Sequence, residues 1–125
     1  MSRSTAPQLA VFDRIISDRG SVYAVSGAPV SNRASVVAAL ARLKSEKRFA
    51  KATHNSWAAR LGGEGARNDD GESGASAIIL RMMETEGLDD HMIVVTRWYG
   101  GKHLGGDRFR HVIAAVRHYL ANRPR

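Results

Sequence analysis

Cysteine is absent from this 125-residue chain, which removes disulfides, thiolate metal sites and a cysteine nucleophile from consideration. No apolar run approaches the ~20 residues that a membrane-spanning helix needs. The opening Met-Ser-Arg-Ser-Thr-Ala-Pro-Gln has no apolar signal core, so residues 1–9 read as a flexible leader. A cytoplasmic location follows by default, with no membrane partner. Nucleotide fingerprints are missing too: there is no G-x-G-x-x-G and no G-x-x-x-x-G-K-[ST]. No H-E-x-x-H or closely spaced histidine pair offers a zinc site. A calcium loop turning at Gly71 would need acids where Ala66 and Ala77 stand. Neither metal nor cofactor is expected.

What the chain does have is an uneven charge. Its net charge is +7; residues 1–67 carry eleven Lys/Arg against four Asp/Glu, whereas residues 68–125 carry eight of each. Arg33, Arg42, Lys44, Lys47, Arg48 and Lys51 are diluted only by Glu46, and Asp69, Asp70, Glu72, Glu84, Glu86, Asp89 and Asp90 are offset only by Arg81. Such a dipolar surface suggests an acidic partner on one side. The basic segment is an argument for nucleic acid, set against the plainer reading of a solvated helix face.

Hydrophobic content of 43% and charge of 25% suit one globular domain spanning residues 1–125. Val11–Ser17 and Ser21–Val25 read as strands around an Asp18-Arg19-Gly20 turn. Pro29 and Ser31-Asn32 announce a helix to about Lys47, with Val36, Val37, Leu40 and Leu43 at helical spacing. Ala52–Leu61 has strand character, and the glycine-rich, acidic Gly62–Gly74 reads as a loop. Ser73 would cap a helix striped by Ala75, Ile78, Ile79, Met82 and Met83 and closed by Gly87-Leu88. Met92–Tyr99 is apolar on both faces and so a central strand. A last helix runs from about Asp107 to Leu120, with Phe109, Val112, Ile113, Val116, Tyr119 and Leu120 inward. The order ββαβαβα predicts an α+β two-layer sandwich: a four-stranded sheet with three helices on one face.

Two stretches carry chemistry. Asp69, Asp70 and Glu72 lie within four residues and repel unless a cation or an arginine compensates, and Arg97 could be that arginine, with bidentate geometry. With His54 they could form an acid–base or divalent-cation site; the plainer reading is a solvated loop near a helix start. The bend Gly100-Gly101-Lys102-His103-Leu104-Gly105-Gly106 could cradle an anion with its amides, yet Asp107 competes for that position and tight turns need glycine anyway. His54 alone is more often a hydrogen-bonded structural histidine. Trp98 and Tyr99 point to opposite sides of their strand, one core and one surface.

Taken together, Ala52-Thr53-His54-Asn55, Asp69-Asp70-Gly71-Glu72 and Val94-Val95-Thr96-Arg97-Trp98-Tyr99-Gly100-Gly101, then Leu104-Gly105 and Asp107-Arg108-Phe109, resemble the Impact family (Impact/YigZ type). Asp18-Arg19-Gly20-Ser21 adds to the likeness, which runs from about residue 17 to 120 and favours the eukaryotic branch. The resemblance implies a fold similar to the second domain of ribosomal protein S-five. It implies a cytosolic regulator of translation that competes for the activator of the amino-acid-starvation kinase, with actin binding as a family association and no established catalysis. Two departures stand out: there is no room for the family's N-terminal RWD domain, and Ser76, Ala77 and Gly106 replace two glycines and a common proline. The expected function is thus a non-enzymatic binding module contacting translation-control proteins. Its expected surface comprises His54, Asp69, Asp70, Gly71, Glu72, Arg97, Trp98, Tyr99, Gly100, Gly101, Leu104, Gly105 and Asp107. The alternatives are a nucleic-acid or ribosome-binding module using the basic 33–51 face, and an enzyme using His54, Asp70 and Glu72.

Overall fold

The computed structural model describes residues 8–124, so most of the expected leader lies outside the described residues. Its elements are β1 (Ala10–Asp18), β2 (Ser21–Pro29), α1 (Arg33–Lys44), α2 (Lys47–Ala50), β3 (His54–Leu61), β4 (Glu64–Asn68), α3 (Ala75–Glu86), β5 (His91–Trp98) and α4 (Asp107–Asn122). The sheet is antiparallel throughout and has five strands, ordered β1-β2-β5-β3-β4, rather than the expected four. The added strand, β4, lies in the stretch expected to be loop. Gly62 and Gly63 both take positive φ (58° and 83°) and make the two-residue turn of a β3–β4 hairpin. A Gly-Gly pair after a strand is a hairpin signal in its own right. Glycine and carboxylate content had masked it.

Nor do the helices share one face. Alternate residues of β5 feed two cores: Ile93 and Val95 pack with α3 and α4 through Ile79, Met83, Val112 and Val116. Met92 and Val94 pack with α1 and α2 through Val36, Ala39, Leu43 and Phe49. A strand apolar on both sides needs cover on both sides, because apolar area left in water costs about 25 cal/mol per Å². The layers are therefore helix, sheet, helix, and the two-layer expectation is corrected.

Local chemistry sets most boundaries. Asn32 opens α1 with a reciprocal cap: its side chain accepts from Ser35 N–H at 2.8 Å, and Ser35 Oγ accepts from Asn32 N–H at 3.1 Å. The helix stops at Lys44 instead of running to Lys47, and Val37, expected inward, is 66% exposed. Gly87 closes α3 in the left-handed region at φ 65°, with Leu88 N–H donating back to Met83 O at 3.0 Å. In α4 the buried positions include His111 and Ala115, while Phe109 and Ile113 are only partly covered. At the sheet edge β1 bulges, Arg14 taking φ 49° between the Phe12–Val25 and Ile16–Tyr23 pairings. A bulge bends an edge strand away from further pairing.

Candidate functional site

One end of the sheet, where β3 begins and β5 ends, faces the turn before α3 and the glycine bend before α4. A cleft of about 440 Å³ opens there, lined by Thr53, His54, Gly71, Glu72, Ser73, Arg97, Tyr99, His103, Leu104, Gly105 and Arg108. At its base is a buried ion pair: Arg97 Nη1 reaches the two Glu72 carboxylate oxygens at 3.2 and 3.0 Å, both side chains being 7% exposed. A single nitrogen bridges both oxygens, so the geometry is not the parallel fork expected of arginine. Arg108 adds a second guanidinium, 3.4 Å from Glu72 Oε1, and donates to Ser73 O at 2.8 Å. Arg97 Nη2 donates to Ser21 Oγ at 3.3 Å, whereas its Nε is buried without an acceptor.

The other two acids of the acidic turn accept from backbone amides instead, Asp69 half-buried and Asp70 exposed. Asp69 accepts from the amides of Gly74 and Ser76 (3.1 and 2.9 Å) and from Ser76 Oγ (2.5 Å). Ser76 above all, then these amides and Arg67, hold its carboxyl below the usual carboxylate range against the opposing effect of burial. Asp69, not the expected Ser73, caps α3; the position before the helix is Gly74 at φ 89°. Asp70 Oδ2 accepts from Asn55 N–H at 2.7 Å, and its carbonyl accepts from His54 Nδ1 at 2.8 Å. Because a carbonyl can only accept, Nδ1 carries the proton and Nε2 is the open nitrogen.

Several expected surface residues have structural places. Trp98 turns to the second core, edge-on to Phe49 at 5.0 Å, and its Nε1 donates to Arg48 O at 3.0 Å. Tyr99 is 41% exposed and stands at the cleft rim, 5.7 Å from the His103 ring. Gly100 lies against the β1–β2 turn so closely that a Cβ would sit 2.0 Å from Gly20 C. Gly101 takes φ 92° and, unlike Gly105, does not line the cleft. Asp107 does not cap α4 but pairs with Arg19 at 2.5 Å and Arg110 at 3.3 Å. Gly106 has φ −66°, the value proline imposes, which accounts for proline being acceptable there. Ser76, the other departure, is buried by its bond to Asp69 and does not crowd the cleft.

The expected surface left out Thr53, Ser73, His103 and Arg108, of which His103 was named only with the anion-cradling bend. Arg108 carried a signal, since it lies in the same Asp-Arg-Phe motif as Asp107. Within the basic segment, Arg48 is committed: it pairs with Asp13 at 2.6 Å and stacks over Trp98 at 3.8 Å. Arg33, Arg42, Lys44, Lys47 and Lys51 are exposed. Among the described residues, no three His, Asp or Glu side chains converge as a metal site requires, and no helix is long and apolar enough to cross a membrane.

A five-stranded antiparallel sheet covered by helices on both faces, with a buried arginine–glutamate pair under a cleft at one sheet end, places the chain among small α+β domains. The family model described as Impact N-terminal domain matches residues 19–120, and the chain belongs to that family. It is 40% identical over 114 residues to Protein IMPACT of Bos taurus, covering 86% of this chain and 36% of that protein. The Protein IMPACT homologs of Caenorhabditis elegans and Saccharomyces cerevisiae are 38% and 33% identical, covering 86% and 82% of this chain and 45% and 42% of theirs. The chain thus spans less than half the length of these relatives. Among solved structures, a hypothetical protein superposes with a TM-score of 0.78 at 23% identity, over 94% of this chain and 58% of its own, which speaks to fold alone. The two-domain translational regulator Yih1 superposes with a TM-score of 0.52 at 26% identity, over 97% of this chain and 48% of that one.

Proposed function

We propose that this chain is a regulatory binding module of translational control that acts by contact, with no catalysis of its own. The observation that carries this reading is the commitment of the acidic turn. Asp69 caps a helix, Asp70 ties the turn to β3, and Glu72 is held by two arginines. Each carboxylate is thus hydrogen-bonded or ion-paired within the protein, and general acid–base work would need one of them free to exchange a proton with a substrate. Family membership and the likeness to the translational regulator Yih1 support the translational setting. The partner in this reading is the activator of the amino-acid-starvation kinase, with actin a further partner and the cytoplasm as location. The contact surface is the cleft rim: His54, Gly71, Tyr99, Leu104 and Gly105.

Partner capture from cell extract tests this reading, using wild type and Tyr99→Ala. Retention of a translation-linked protein by wild type and its loss in the variant support it. Retention of none by wild type overturns it.

The exposure of Arg33, Lys44, Lys47 and Lys51 favours a second reading, in which this face binds RNA or the ribosome. Phosphate contacts release counterions, so such affinity must fall steeply with salt. If a Lys44→Glu/Lys47→Glu variant binds RNA as wild type does, the second reading fails.

A further inference from the structure

We infer that the cleft over Arg97 and Arg108 is an anion site that takes a phosphate monoester. This goes beyond the protein-contact reading and does not depend on it.

Glu72 is the one carboxylate lining the cleft, and two guanidiniums face it, so the trio keeps one positive charge. Asp69 is held by the amides before α3, the exposed Asp70 accepts from Asn55 N–H and does not line the cleft, and Asp107 is matched by Arg19 and Arg110. A stretch that reads as acidic in sequence is therefore a cationic recess in space. Positive charge between low-dielectric walls attracts anions more strongly than the same charge in open water.

Hydrogen-bonding capacity is also unspent. Arg97 Nε has no acceptor but also no accessible surface, so Arg97 acts on an anion through its charge, and Arg108, with a 27% exposed side chain, is the guanidinium that can touch one. His54 Nε2, with Nδ1 donating to Asp70 O, is an acceptor in the neutral ring and becomes a second donor only when the ring is protonated. Of the bend residues that line the cleft, His103, Leu104 and Gly105, none has an acceptor for its amide among the described residues. His103 stands on the same wall, and Lys102 flanks it. Donors on several sides suit a tetrahedral group with three free oxygens better than a planar carboxylate. The 440 Å³ cleft exceeds a bare phosphate, and the exposed Tyr99 ring gives the esterified group a flat surface to rest on.

Titration of the purified chain, followed by amide NMR shifts, tests the site with inorganic phosphate, phenyl phosphate, adenosine monophosphate and an O-phosphoserine peptide. Phenol and adenosine serve as uncharged controls. The phosphates should saturate a common set of signals around His103–Arg108, and the controls should not. Arg108→Ala should weaken phosphate binding about tenfold or more, the usual loss for a hydrogen bond to a charged group. Arg110→Ala, which removes the same charge from an exposed position on α4, should change it less than about twofold. Tyr99→Ala should weaken phenyl phosphate and leave inorganic phosphate unchanged.

The arms also assign the source. Tighter binding of the aromatic phosphates identifies a small nucleotide-like or aryl ligand, and tighter binding of the phosphopeptide identifies a modified protein chain. Should Arg108→Ala not fold, His103→Ala, at an exposed bend, carries the same test. Absence of saturable shifts with every phosphate, or equal binding by wild type and the folded variant, overturns the site.

Discussion

Glu72 has the most to lose electrostatically, because its carboxylate is buried and both oxygens depend on arginines. Removing one member of a buried ion pair strands the other charge, which typically costs about 3–5 kcal/mol. Arg97→Ala should therefore lower unfolding stability by that order in urea titration. Arg97→Met combined with Glu72→Leu should recover most of the loss, since no lone charge then remains. His91 is the second sensitive residue. It is buried and hydrogen-bonded to Tyr119 Oη at 2.6 Å; burial, with a smaller contribution from Arg123, pushes its pKa down to about 4. Its folded pKa lies below the unfolded value of about 6.5. The stabilisation is thus complete above pH 6.5 and is lost as pH falls towards 4, where the ring must charge. The full loss is on the order of 3 kcal/mol. Tyr119, pushed up to about 12 by burial, stays neutral throughout that window. Unfolding measured at pH 7 and pH 4.5 should show the drop, and His91→Gln should flatten it. Neither residue's state was legible in sequence: His91 lay just before the expected Met92–Tyr99 strand, and burial at the start of β5 decided its behaviour.

Helix starts show how element chemistry can be read partly and wrongly. Asn32 was visible as a start signal and does cap α1. Ser73 looked like the equivalent residue for α3, yet Asp69, five residues before Gly74, accepts the free amides there. The turn places that carboxylate through Asp70 at φ 48° and Gly71 at φ 87°, a fold-back that residue spacing does not reveal. Asp69→Ala should cost about 0.5–2 kcal/mol, the usual value of a lost cap, and speed hydrogen exchange at Gly74 and Ser76. Ser73→Ala should do little, because no cap is lost. A second element-scale prediction concerns the β1–β2 turn and the bend after β5. A Cβ on Gly100 would lie 2.0 Å from Gly20 C and 2.4 Å from Ser21 N, both backbone atoms that cannot rotate aside. Gly100→Ala should destabilise by about 2 kcal/mol or more in the same titrations. Gly106→Pro, with compatible φ, should be tolerated.

Across the whole molecule, charge asymmetry survives folding but changes meaning. The basic 33–51 segment stays largely exposed, apart from Arg48, while Glu72 of the acidic turn is buried between two arginines and the cleft over them is cationic. Reversing Lys44 and Lys47 should alter any polyanion binding and its salt slope, yet shift unfolding stability by less than about 0.5 kcal/mol, as exposed substitutions do. That separation of binding from stability checks that the face is a surface and not a support. The sequence by itself determined most helices and strands, the central place of β5, the Gly87 stop and the motif set that marks the family. These depend on side-chain period, on backbone freedom and on residue identity, all local properties. Tertiary structure alone decided that both sheet faces are covered, that β4 joins the sheet, and which carboxylate meets which partner. Glu72 finds Arg97 and Arg108 at separations of 25 and 36 residues, and no local pattern encodes a pairing at that distance. Charge on a residue is written in its side chain; the field it leaves in a cleft depends on what the fold sets beside it.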